Sequence, residues 1–106
     1  MDLLEKKNFY NSLFDYYQEL LTAKQREYFQ KYYFDDLSLS EIAEFYNVSR
    51  NAIHDQLQKV YQSLEAYEEK LGLFHQYQQR HEIYEEYLST NNQKIIEMIE
   101  KLKNLE

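Results

Sequence analysis

Apolar side chains recur every three or four positions along most of this chain, which is the spacing of an amphipathic α-helix. The first such segment covers about residues 4–20, and the second ends at residue 33. Their apolar faces contain Tyr10, Leu13, Phe14, Tyr17, Leu20, Leu21, Tyr28, Phe29 and Tyr32. Each face needs a partner, so the spacing predicts helices that pack on one another.

The longest apolar pattern alternates steps of four and three residues for about six helical turns. It contains Ile53, Leu57, Val60, Leu64, Tyr67 and Leu71. Gly72 follows directly and either ends the helix in a left-handed cap or bends it, and the break is the preferred interpretation. A further helix is marked by Phe74, Tyr77, Tyr84 and Leu88. A last helix is predicted to start at a Thr90–Gln93 capping box, with a stripe of Ile95, Met98, Ile99, Leu102 and Leu105.

Residues 38–53 carry the signals of a helix-turn-helix. Thr22 with Gln25 and Ser38 with Glu41 form capping boxes, and residues 34–38 separate the two helices that these boxes open. Asn47 tolerates the left-handed conformation of a sharp turn, and Ser49 can cap the next helix. The fold also needs a small residue where the two helices cross and apolar anchors. These requirements are met by Ala43 and by Ile42, Val48, Ile53 and Leu57.

Composition narrows the fold class to an all-α helical bundle. The chain has 106 residues, 43% of them apolar, with no proline and one glycine, and this favours helix over tight strand turns. Disulfides and thiolate metal sites are excluded because cysteine is absent. No apolar run is long enough to cross a membrane, and the N-terminus lacks the features of a signal peptide. A cytoplasmic protein is therefore expected.

We predict one all-α domain over residues 1–106, built from an N-terminal helix (1–21), a helix-turn-helix module (22–71) and a helical C-terminal extension (72–106). The apolar stripe of the extension has two interpretations. It packs either on the N-terminal helix and the seam of residues 53–71, or on a second subunit. The length of the seam favours a homodimer.

Residues 21–65, LTAKQREYFQKYYFDDLSLSEIAEFYNVSRNAIHDQLQKVYQSLE, resemble region 4 of the sigma-70 family. Nearly the whole chain is similar to the YlxM family of small bacterial proteins, most clearly in LTAKQREYF, in LSLSEIAEFYNVSRNAI and in the L-x-x-Y-E-x-K-L run at residues 64–71. The resemblance implies a DNA-binding fold whose genes accompany those of the signal recognition particle GTPases. It also implies a regulatory part in that pathway.

If the seam faces the core, helical geometry turns Asn51, Asp55, Gln58 and Gln62 outward, with Arg50 and His54 on the flank. Asn51 and Gln58 suit adenine, and Arg50 suits guanine or a phosphate. The carboxylate of Asp55, on the same outward face, opposes the binding of DNA there. The candidate nucleic-acid-binding residues are Arg50, Asn51, His54, Gln58 and Lys59.

The charge balance predicts weak, nonspecific DNA binding. The net charge is −7, and residues 22–71 carry six cations against nine anions. Each neutralised phosphate adds about 0.9 to the salt slope of duplex binding, so few contacts give low affinity. The cations are Lys24, Arg26, Lys31, Arg50, Lys59 and Lys70.

The sequence contains no pattern typical of an enzyme, metal site or cofactor site. Gly72 is the only glycine, so no glycine-rich phosphate loop exists, and no nucleophile motif is present. His81 and Glu85 lie one turn apart, which is more typical of a surface pair than of a metal site.

Three functions remain open. The first is a regulatory or accessory protein of the signal recognition particle pathway that binds the particle's protein or RNA. An acidic, aromatic-rich surface suits a basic protein better than naked RNA. The second is a transcription regulator that docks the helix starting at Arg50 in the major groove. The third is a helical scaffold that has kept the fold and lost the reading function.

Overall fold

The computed structural model describes all 106 residues and contains six α-helices and no strand, which confirms the all-α prediction. The helices are α1 (Leu3–Tyr17), α2 (Ala23–Tyr33), α3 (Leu39–Tyr46), α4 (Arg50–Leu71), α5 (Leu73–Leu88) and α6 (Gln93–Asn104). The chain divides into two compact units, Met1–Gly72 and Leu73–Glu106. That the whole chain behaves as one domain stays a prediction. No helix combines the length and apolar character that crossing a membrane requires.

The first unit is built around α4, which packs against α1, α2 and α3. Its aromatic layer is continuous, since Phe14 stacks on Phe29 with ring centroids 4.2 Å apart and Phe29 stacks on Tyr33 at 4.0 Å. The buried core contains Tyr10, Leu13, Phe14, Tyr17, Leu21, Tyr28, Phe29, Ile42, Ala43, Ile53, Leu57, Val60 and Leu64. The apolar spacing of the sequence therefore identifies most of this core.

The predicted caps of the first unit are present. Thr22 and Gln25 form a reciprocal capping box, as do Ser38 and Glu41. The Ser49 hydroxyl accepts a hydrogen bond from the Ala52 amide at 3.1 Å. These caps satisfy amides that a helix start leaves without a partner.

The second unit is a hairpin of α5 and α6. Gly72 has a φ of 61° and ends α4, which confirms the predicted break. Tyr84 and Ile99 are the only buried side chains of the hairpin. Most of the predicted stripe on the last helix is consequently exposed.

The last helix does not start where the sequence predicts. The Thr90 hydroxyl donates to the Tyr87 carbonyl at 2.7 Å and so belongs to the end of α5. Asn92 is the N-cap of α6, and its side-chain oxygen accepts from the amides of Lys94 and Ile95. Asn91, with a φ of 55°, reverses the chain and moves the helix start two residues beyond the predicted one.

Three other positions that the sequence predicts to be buried are exposed, namely Leu20, Val48 and Leu71. The chain tightens into a 3₁₀ turn at Gln18–Leu20, and this changes the rotation per residue, so that Leu20 is 52% exposed while Leu21 is buried. The seam on α4 is buried only as far as Leu64, because Tyr67 is partly covered and Leu71 is 49% exposed. Val48, a predicted anchor, is 45% exposed.

Candidate nucleic-acid interface

The helix-turn-helix consists of α3, the turn of residues 47–49 and the start of α4. Asn47 has a φ of 55°, and its backbone amide donates to the carbonyls of Ala43 and Glu44. Ala43 is buried in one cluster with Tyr28, Ile42, Ile53 and Leu57. A small side chain thus stands at the crossing, and the apolar anchors hold α4 at a fixed angle to α3.

The outer side of α4 is open to solvent along the predicted reading face. All five predicted site residues, Arg50, Asn51, His54, Gln58 and Lys59, are exposed on this helix. Asp55 and Gln62 are exposed as well. The predicted geometry of the face is therefore present, whereas its use in binding stays a prediction.

Asp55 introduces a negative charge into this face. Its carboxylate lies 3.6 Å from Nδ1 of His54, with 74% of the Asp55 side chain exposed. An anion pointing outward from a recognition helix repels phosphate and the acceptor edges of bases. The middle of the reading face is therefore poorly suited to duplex DNA.

A groove of about 220 Å³ lies beside the reading face. Lys6 and Lys7 of α1 share its lining with His54 and Gln58 of α4, and no carboxylate lines it. The remaining lining residues are Leu3, Tyr32, Tyr33, Leu39, Leu57 and Tyr61. The groove, hereafter the lysine groove, is a cationic and aromatic site in an acidic protein.

Lys6 and Lys7 were not among the sequence candidates because nothing in the sequence alone places α1 beside α4. The placement follows from contacts that advance together along both helices, so α1 and α4 run in the same direction. Tyr10 stacks on Tyr61 with ring centroids 4.3 Å apart, and the Tyr17 hydroxyl donates to Glu68. One turn before Tyr10 lie the lysines, and one to two turns before Tyr61 lie Gln58 and His54.

The Tyr10 phenol fixes the register of α1 on α4, and the Tyr33 phenol connects α2 to the same part of α4. The Tyr10 hydroxyl donates to Glu65 at 2.5 Å, and burial together with this carboxylate raises the pKa of Tyr10 to about 12. Burial, followed by the hydrogen bond to Tyr61, raises the pKa of Tyr33. Both phenols are therefore neutral hydrogen-bond donors at neutral pH.

Three of the six cations predicted to face phosphate are engaged elsewhere. Lys24 lies 3.7 Å from Glu27 and 4.4 Å from the centroid of the Tyr46 ring. Lys31 lies 3.9 Å from the centroid of Phe45. Arg26 donates to the Gln18 carbonyl. The charge available near the reading face thus comes from Arg50, Lys59 and the two lysines of α1.

The predicted pair of His81 and Glu85 is wrong. His81 Nε2 lies 2.8 Å from a Glu106 carboxylate oxygen, and Arg80 Nε donates to the other oxygen at 2.5 Å. Glu106 reaches both groups because α6 returns along α5. The structure contains no cluster of three or more potential metal ligands.

These features define a helix-turn-helix protein with an exposed second helix. The chain belongs to the family described as "Putative helix-turn-helix protein, YlxM / p13 like", whose model matches residues 4–105. The UPF0122 protein of Listeria innocua is 46% identical over 110 residues, covering 98% of this chain and 100% of that protein. The UPF0122 protein of Oceanobacillus iheyensis is 46% identical over 105 residues, with the same coverage of both chains.

Proposed function

We propose that this protein is an accessory protein of the signal recognition particle pathway that binds the particle's RNA through the lysine groove and the adjoining face of α4. The pathway is suggested by the resemblance to the YlxM family. The choice of RNA rests on one observation, which is that Lys6, Lys7, His54 and Gln58 share a groove lined by no carboxylate.

The chemistry of the lysine groove suits unpaired nucleotides. Lysines neutralise phosphate, and aromatic side chains offer surfaces on which unstacked bases can lie. Lys7 lies 5.3 Å from the centroid of the Tyr32 ring, so a cation and an aromatic side chain are already adjacent. A basic protein partner, which the overall acidity favours, would meet two lysines here rather than carboxylates.

Duplex DNA fits the same surface less well. Asp55 lies in the middle of the face that would enter the major groove, and half of the module's cations are engaged elsewhere. RNA loops and bulges do not require α4 to enter a groove, since their bases are splayed outward. The transcription regulator is therefore the second candidate, supported by the exposed Arg50 and Asn51 on a confirmed helix-turn-helix.

The test is a set of titrations at several salt concentrations. Labelled particle RNA, generic duplex DNA and the particle GTPase are each titrated with the full chain and with the variant Lys6→Ala/Lys7→Ala. We expect saturable RNA binding whose salt slope falls by about 1.4 in the variant, because each of the two single-strand phosphate contacts contributes about 0.7. Binding to duplex DNA should be weaker.

Two control variants separate position from charge. Lys70→Ala/Lys94→Ala removes the same net charge at sites outside the lysine groove, and it should bind RNA like the parent chain. Lys6→Arg/Lys7→Arg should keep the parent salt slope. Equal RNA binding by the parent and the Lys6→Ala/Lys7→Ala variant would refute the proposal. Tighter binding to duplex DNA would favour the transcription regulator, saturable binding to the GTPase alone a protein partner, and no binding the scaffold.

A further inference from the structure

The hairpin of α5 and α6 carries an apolar groove that is distinct from the lysine groove. Its volume is about 240 Å³ and its walls are entirely apolar. It is lined by Ile83, Tyr84, Tyr87, Ile95, Met98, Ile99 and Leu102. Met98 and Ile83 are each 54% exposed, Tyr87 is 48% exposed and Leu102 is 40% exposed. We call this surface the hairpin groove.

We propose that the hairpin groove binds the same groove of a second copy of this chain, so that the two hairpins form a four-helix bundle. The inference does not depend on the proposed function. It starts from the size of the hairpin, whose residues 73–106 bury only two side chains. Units of fewer than about 40 residues usually need disulfides, metals or oligomerisation to supply a sufficient core. Cysteine is absent here, and so is any cluster of metal ligands.

The apolar faces of α5 and α6 together form a surface like that which one helix pair contributes to a four-helix bundle. On α6 the apolar positions 95, 98, 99 and 102 form one stripe, and apart from Ile96 the other positions of the helix are polar or charged. Positions 83, 84 and 87 of α5 complete the same surface. Four-helix bundles bury such stripes between two pairs of helices, at positions spaced by three and four residues.

Charge favours a second copy over an unrelated partner. The end of α5 is acidic, with Glu82, Glu85 and Glu86, whereas α6 carries three lysines, Lys94, Lys101 and Lys103, and two glutamates, Glu97 and Glu100. In a twofold pair the same patch serves both subunits, so α5 of one copy can face α6 of the other. The acidic end of α5 in each copy can then lie near lysines of α6 in the other.

The apolar area is sufficient for a reversible dimer. Five large side chains of the hairpin are 40–83% exposed: Ile83, Tyr87, Met98, Leu102 and Leu105. Each offers on the order of 100 Å², since a large aromatic side chain buries roughly 150–250 Å² when fully enclosed. The surface of one copy is therefore about 500 Å², which is the size of a weak, reversible contact. Specific interfaces start near 600 Å² per partner, which is about half of their total.

The test is the mass of the chain in solution as a function of concentration, measured by sedimentation equilibrium. The mass should rise from 13.1 kDa towards twice that value as the concentration increases from low micromolar to near millimolar. Met98→Glu should weaken the association at least about tenfold, because two carboxylates would enter the apolar interface. Circular dichroism should show unchanged helix content, since Met98 is already half exposed in one copy.

Leu4→Glu is the matched control, because it introduces the same charge at an exposed apolar position of α1. It should leave the association unchanged. A monomer over the whole range would overturn the proposal and assign the hairpin groove to another protein or to other residues of the same chain. Association that Met98→Glu does not weaken, or that Leu4→Glu weakens equally, would also overturn it.

Discussion

The two units of this protein bury the apolar faces of their helices to different extents. In the first unit, α4 has three partner helices, and its apolar side chains Ile53, Leu57, Val60 and Leu64 are buried. In the second unit, α5 and α6 have each other, and Met98 and Ile83 remain half exposed. Both units use the same apolar periodicity and similar caps. The difference shows that periodicity identifies which face of a helix is apolar but does not identify what covers it.

The largest contrast should come from placing a charge in each apolar face. Ile53 is fully buried, so Ile53→Asp should unfold the first unit, because an unpaired carboxylate in an apolar core costs several kcal/mol. Ile83→Asp should leave most of the helix content intact, since that position is 54% exposed. Thermal unfolding followed by circular dichroism measures both variants. Similar losses of structure in the two would remove the contrast.

Raising the pH into the alkaline range should destabilise the first unit. Burial raises the pKa of Tyr10 to about 12 and raises the pKa values of Tyr33, Tyr46 and Tyr61. The folded state thus favours the neutral phenols. The contribution of Tyr10 to stability is complete below about pH 10 and is lost as the pH rises through about 12, and the other three phenols act in the same direction.

Tyrosinate absorbance and circular dichroism should be recorded together. They should show that these four tyrosines ionise at higher pH than the others and that helix content is lost in the same pH range. In the Tyr10→Phe variant, one tyrosine fewer should ionise in this delayed phase. Titration of all 12 tyrosines near pH 10 with the helices intact would contradict the assignment.

The turn of the helix-turn-helix should respond to the loss of a left-handed residue. Asn47→Ala is expected to cost about 1 kcal/mol of unfolding free energy, because a Cβ without a local polar partner is disfavoured at positive φ. Asn47→Gly should be neutral or slightly stabilising. Urea unfolding measures both variants. A neutral Asn47→Ala would mean that the turn does not hold this conformation.

A comparison of substitutions at two candidate N-caps tests at which residue α6 begins. Asn92→Ala should destabilise α6 by about 1 kcal/mol, the usual cost of losing an N-cap. Thr90→Ala should cost less, because its hydroxyl bonds to the end of α5 and not to the start of α6. Amide hydrogen exchange of residues 93–98 distinguishes the two. Faster exchange in Thr90→Ala than in Asn92→Ala would support the sequence prediction instead.

The smallest effect is expected when acid protonates Glu106 and weakens its contact with Arg80 and His81 in the hairpin. The hydrogen bond from Arg80, together with His81, lowers the pKa of Glu106 below its ordinary 4.5. The contact therefore contributes fully above about pH 4.5 and is lost as the pH falls through the lowered value. Amide chemical shifts of residues 80–81 should move in that window. In Glu106→Gln the corresponding shifts should be absent.

Much of the first unit could be predicted from the sequence because its signals are local. The caps at Thr22, Ser38 and Ser49 and the left-handed Asn47 each depend on residues within a few positions of one another. The helix-turn-helix and the outward face of α4 follow from them. The start of α6 was missed because Thr90 and Asn92 both satisfy the local rule, and only the reversal at Asn91 decides between them.

The lysine groove could not be predicted because it depends on contacts between distant parts of the chain. Lys6 and Lys7 lie about 50 positions from His54 and Gln58, and the stacking of Tyr10 on Tyr61 brings these segments together. Charge counted along the sequence therefore gave an acidic module. Charge located in the structure gives a cationic groove beside the reading face.

The most direct test of the lysine groove is a chemical-shift titration of the isotope-labelled chain with the particle RNA. We predict that the largest backbone shifts fall on Lys6, Lys7, His54 and Gln58, with smaller shifts at Arg50 and Asn51. Residues 73–106 should change little. Shifts confined to the hairpin, or spread over both units without a maximum at the lysine groove, would contradict the account.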